Sequence, residues 1–106
     1  MTTTTSPDVA PPAGAAVVDK WQPGPPPYRV ILGPTRVIGP AEVQGAVIQF
    51  ADGSVDRPKG ADVQPPSLHV RVRGDETLTV GHAMGLAAAL VEVAIELGRW
   101  AGTITD

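Results

Sequence analysis

Cysteine is absent from this chain, and aromatic residues are scarce: two tryptophans, one tyrosine and one phenylalanine. Without cysteine there is neither a disulfide framework nor a thiolate metal site. Two histidines are too few to suggest a metal centre unaided. No positively charged start leads into an apolar run at the N-terminus, which argues against a secretory signal. The longest apolar stretch, residues 83–95, is broken by Glu92 and falls short of the roughly 20 residues a membrane span needs. These absences predict a soluble, cytoplasmic protein.

At 106 residues the chain has room for one small domain. Residues 1–27 read as a disordered tail rich in proline, threonine and alanine. Their apolar members (Val9, Val17, Val18 and Trp21) are too interrupted to repay the entropy of ordering. A single domain is expected over 28–102, with 103–106 frayed. So small a core is marginal, and recruiting a second copy is one remedy. Net charge is −3 but unevenly placed. Residues 20–73 hold seven basic and four acidic groups, while residues 74–106 hold five acidic groups and one arginine. The asymmetry is too small to indicate nucleic acid by itself.

Residues 28–32 and 36–38 form two short β-rich runs, each closed by Gly-Pro. Their shared Arg-Val-Ile is too brief to count as a repeat. Residues 43–50 read as a strand, Asp52-Gly53 as the hairpin turn and residues 55–57 as the return, stopped by Pro58. Residues 67–73 alternate most cleanly. Leu68, Val70 and Val72 are expected inside, and His69, Arg71 and Arg73 in water. Thr79 is placed to cap a helix, although His82 stands where a capping box wants Glu or Gln. Asp75 and Glu76 lie just upstream, where the helix dipole favours negative charge. The predicted class is α+β: a small antiparallel sheet of three to five strands covered by one long C-terminal helix.

The helix carries more apolar surface than one sheet can cover. Glu92, Glu96 and Arg99 fall within about 60° of one another at about 100° per residue. The apolar residues, among them Leu86, Leu90, Val93 and Leu97, span roughly 220°, where a surface helix needs little over 100°. Two buried faces follow, one on the sheet and one on a partner. Gly81, Gly85 and Ala88 form a small-residue edge suited to close approach, by a partner helix or by the chain's own Trp21 segment. Gly81, Met84, Gly85, Ala88, Val91 and Ile95 are the candidate self-association residues.

Asp52-Gly53, Leu68-His69-Val70, Leu78-Thr79 and Leu86-Ala87-Ala88-Ala89-Leu90 together resemble a loose group of small strand-hairpin-strand-helix proteins of actinobacteria and their bacteriophages. The resemblance covers about half the chain. The group's usual Pro and Glu or Gln after the threonine are replaced here by Val80, Gly81 and His82. It implies a fold and a bacterial or phage origin, and no activity.

Groupings that could carry chemistry each have a plainer account. His69 and His82 lack a third ligand. Ser6, Ser54 and Ser67 lack a nucleophile-elbow setting. Glu92 and Glu96 share a polar stripe with Arg99 and read as a solvated face. Residues 52–56 lack the acidic alternation and closing glutamate of a calcium loop. Pro25-Pro26-Pro27-Tyr28 matches the PPxY ligand of WW domains, and also serves as a stiff lead-in to a strand. No enzyme, cofactor or metal is expected. The sequence points to a homodimeric module that binds another macromolecule, a protein above all. The alternative is a nucleic-acid-binding or regulatory protein that uses His69, Arg71 and Arg73 on one strand face.

Overall fold

The computed structural model describes residues 8–24, 26–55 and 66–102. It is an α+β fold: five antiparallel strands form one curled sheet, and one long helix packs on it. The strands are β1 (Val17–Val18), β2 (Tyr28–Leu32), β3 (Arg36–Ile38), β4 (Ala41–Phe50) and β5 (Ser67–Val72), followed by α1 (Val80–Ala101). β4 is the centre. Its first residues pair with β3 (Val43 with Arg36) and also with β5 (Val43 with Val70), so those two strands lie on opposite edges. Ala46 pairs with Leu32 of β2 and Ser67 of β5, which puts β2 on the β3 side. β2 and β3 are thus successive pieces of one long arm of a hairpin with β4. Three residues separate Leu32 from Arg36 while two separate Ala46 from Val43, a one-residue bulge. Gly33 N–H bonds to the Gly45 carbonyl there, and the Gln44 amide bonds to the Gly33 carbonyl.

The core lies between α1 and the facing side of β2 and β4. Ile31, Val43 and Val47 of the sheet meet Ala89, Val93 and Leu97 of the helix. Within this core the helix lies close against Gly45. A Cβ built there would stand 2.8 Å from Leu97 Cδ2 and 2.9 Å from Val93 Cγ1. A strand residue with no side chain is what lets the helix sit this low.

Several local expectations hold. The Asp52-Gly53 turn forms, with the Asp52 carboxylate accepting from Ser54 N–H at 2.9 Å and Ser54 Oγ–H at 2.6 Å. Val55 pairs with Gln49 as the start of the return. Asp56 and Arg57 of that return, and the calcium-like position at 56, lie outside the described residues, as do Ser6, Pro25 and 103–106. Thr79 is the N-cap. Its hydroxyl accepts from His82 N–H at 3.0 Å, while His82 Nδ1 accepts from Thr79 N–H at 3.3 Å. An imidazole therefore completes the capping box in place of a carboxylate.

Three expectations change. First, β5 is not half-buried. Leu68, Val70 and Val72 share the helix side of the sheet with Gly45, Val43 and Ala41, yet all of β5 is exposed. α1 lies over β4 and toward β3, and leaves the β5 edge uncovered. Second, part of the segment read as a tail joins the sheet: β1 pairs with β2, Val17 opposite Leu32 and Val18 opposite Ile31. Residues 1–7 lie outside the described residues. Third, α1 is long and apolar enough, by length and composition alone, to cross a membrane, with mean hydropathy 1.6 over its most apolar window and 17% of that window buried. Counting only residues 83–95 understates it, because the apolar character runs from Val80 to Ala101.

Candidate functional site

The outer half of α1 is uncharged along most of its length. Val80, Met84 (70% exposed) and Val91 (59% exposed) stand in water, and so do Ala87 and Ala94 between them. These five recur at alternating spacings of four and three, so they form one stripe along the helix. The charged flank is turned the other way. Glu92 and Glu96 face Arg36 of β3, at 3.6 and 3.8 Å, so the stripe read as solvated, in which Glu92 and Arg99 are exposed, also touches the sheet through Glu96. That orientation leaves the opposite flank, with Ala83, Ala87, Leu90 and Ala94, leaning over the β5 side. Leu68, Val70 (48% exposed) and Val72 lie below it on the same sheet face. Helix flank and edge strand thus both present exposed apolar residues on the helix side of the sheet.

The six candidate association residues divide. Gly81, Met84, Ala88 and Val91 are exposed. Gly85 is half-buried against β3, where an added Cβ would come 3.1 Å from Ile38 Cγ2, so its smallness serves packing within the chain. Ile95 is half-buried beside the N-terminal segment. Trp21 does not cover the glycines. Its ring stacks on the Arg29 guanidinium, 4.4 Å from the ring centre.

The basic strand face is more balanced than its sequence suggests. Arg71 Nε donates to Glu42 Oε1 at 2.9 Å, and its terminal nitrogen reaches the same oxygen. Arg73 meets Glu76 at 3.2 Å, and His69 Nε2 stands 3.4 Å from Ser67 Oγ. Both arginines thus face carboxylates of their own chain, which lowers the positive potential a phosphate would feel.

The outer edge of β5 is unpaired among the described residues. Arg73 N–H bonds to the Pro40 carbonyl. By strand alternation the odd-numbered residues of β5 turn their backbone toward β4, and Leu68, Val70 and Val72 turn theirs outward. An apolar row above a free backbone edge is a surface natural proteins usually cover. Among the described residues no group of three or more His, Cys, Asp or Glu could hold a metal ion.

Sequence reasoning missed one polar constellation. Arg29 and Gln49 pair across β2 and β4 on the helix side, 7% and 2% exposed. Arg29 Nε donates to Gln49 Oε1 at 2.9 Å. The signal lay in the alternation: both residues are in phase with buried Ile31, Val43 and Val47. Comparison with protein-family models, curated proteins and solved structures finds no match to this chain.

Proposed function

We propose that this chain is a small non-enzymatic interaction module that self-associates as a homodimer through α1 and binds another macromolecule, most simply a protein. The observation that carries this reading is the set of exposed apolar residues on the outer flank of α1 and the helix side of β5. At about 1.5 Å per residue the helix is about 33 Å long, and a strip about 10 Å wide covers roughly 330 Å² in projection. A standard interface buries about 800 Å² per partner, so the helix stripe needs the β5 row beside it to reach a stable size. Alanines alternating with Met84 and Val91 suit a close helix pair. A protein partner fits α1 better than lipid does, because Ala89, Val93 and Leu97 are already packed on the sheet and Glu92 and Glu96 face Arg36. The resemblance to small actinobacterial and phage proteins supports a bacterial or phage origin. No observation favours the nucleic-acid alternative at His69, Arg71 and Arg73.

Light scattering on the full chain tests the reading. The expected mass is twice 10.9 kDa, and Met84→Glu and Val91→Glu are expected to give folded protein at 10.9 kDa. A wild-type monomer at high micromolar concentration would refute self-association, and so would two variants that keep the doubled mass. Flotation of a wild-type monomer with lipid vesicles would make the membrane the occupant of the stripe and refute it too.

A further inference from the structure

The N-terminal segment is held in a manner that α1 self-association does not explain. Ahead of β1 the chain turns at Gly14, whose φ of +90° suits glycine, with Ala15 N–H bonded to the Pro12 carbonyl. Residues 8–13 then run back across the helix side of the sheet. Three side chains donate to three carbonyls of this arm. Arg29 Nη2 donates to Val9 (2.9 Å), Gln49 Nε2 to Ala10 (3.0 Å) and Trp100 Nε1 to Ala13 (2.9 Å). The arm reads Asp-Val-Ala-Pro-Pro-Ala, and among the described residues no backbone ladder joins it to a strand. Side-chain donors, aromatic rings and an extended proline-containing segment with free carbonyls are the physics of polyproline-II recognition.

Arg29 makes the arrangement specific. It is a nearly fully buried cation whose partners among the described residues are Gln49, the Trp21 ring and one arm carbonyl, none of them a carboxylate. Burying a guanidinium is costly unless its donors are met, so emptying the arm's seat would leave it short of an acceptor. Beside the arm, an open cleft of about 830 Å³ is lined by Ala10 and Pro12 on one side and Ile95 and Trp100 on the other.

We propose that Arg29, Gln49 and Trp100 form a binding site for an extended, proline-rich segment of another protein, and that the chain's own residues 8–13 occupy it as a built-in competitor. The occupant's chemistry is read from the arm seated there: free main-chain carbonyls at three positions and proline in place of backbone donors. A segment tethered in cis competes at an effective concentration in the millimolar range, so outside ligands bind well only when the arm is weak or displaced. The site shares no residue with the exposed stripe of α1 and stands or falls separately from self-association.

The test uses the full chain and a dye-labelled, N-acetylated peptide of residues 8–16, followed by fluorescence anisotropy. Pro11→Gly/Pro12→Gly, which loosens the arm without touching the three donors, is expected to bind the peptide at least tenfold more tightly than wild type. Adding Trp100→Phe, which keeps an aromatic ring there and removes one donor, is expected to weaken that binding about fivefold, the worth of one neutral hydrogen bond. A circular-dichroism melt confirms that each variant is folded. Equal affinity of the wild-type and loosened chains overturns the proposal, as does indifference to Trp100→Phe. A concentration-dependent doubling of mass in Met84→Glu that the Pro11→Gly/Pro12→Gly change abolishes would make a second copy's arm the occupant and overturn it as well.

Discussion

Replacing Gly45 with alanine adds one methyl group where the helix lies against the central strand. The new Cβ would lie 2.8 Å from Leu97 Cδ2, 2.9 Å from Val93 Cγ1 and 3.1 Å from Leu97 Cδ1. Val93 is fully buried and Leu97 nearly so, so neither can swing into water to make room. Forcing a methyl group into a packed core costs about 1–3 kcal/mol. Against that, alanine in a strand recovers about 0.5–1 kcal/mol of the backbone entropy that glycine loses on folding. The sterics win, and the net loss is about 1–2 kcal/mol. With a urea slope of about 1 kcal/mol/M for so small a protein, the unfolding midpoint should fall by about 1–2 M at unchanged slope. Circular dichroism at the helix band and tryptophan fluorescence should report coincident transitions. Leu97→Ala alone should cost about 2–5 kcal/mol, and less in the Gly45→Ala background, because the truncated side chain makes the space that the methyl group needs. An unchanged or raised midpoint for Gly45→Ala would mean that α1 does not rest on β4 as described, and the surface assigned to its outer flank would lose its basis.

Two further substitutions probe the helix start. Thr79→Ala removes the acceptor for His82 N–H and should lower stability by about 1 kcal/mol, read as a drop of several degrees in melting temperature. Gly39→Ala meets two obstacles, a φ of +56° and the His82 ring 2.6 Å from the added Cβ. It should cost more than the cap, about 1–3 kcal/mol, and a neutral result in chemical denaturation would contradict the seating of His82 over the β3–β4 turn.

The parts of this fold that were legible in the sequence are those where one local rule decides. Alternation marked β5 as a strand, Asp52-Gly53 marked a turn, and Thr79 fixed the first residue of α1. What alternation does not carry is whether anything lies over the apolar row it identifies. Leu68, Val70 and Val72 form the predicted row, and the helix sits one strand away. The arm was illegible for a different reason. It is held through its carbonyls, which every residue possesses, so no pattern within residues 8–13 announces the contact. The evidence was in the receiver: an arginine and a glutamine at inward positions of two paired strands. The apolar excess of α1 was countable, but the count assigned Gly85 to a partner when Ile38 of the same chain lies against it.

The bulge between β2 and β3 acts on parity. In β2 the odd-numbered Arg29 and Ile31 point to the helix side, whereas in β3 it is the even-numbered Arg36 and Ile38, with Val37 turned out to water. One extra residue converts a seven-residue offset, which would place the two Arg-Val-Ile triplets in opposite orientations, into two copies facing the same way. Arg29 is thereby free to hold the arm while Arg36 holds the acidic flank of α1. A surface connection ordinarily tolerates changes in length, but here tolerance has an even-odd rule. Losing one residue from 33–35 would turn Arg36 and Ile38 outward and Val37 inward, while losing or gaining two would preserve the facing. Among natural variants of this chain, length differences in that short span should come in pairs.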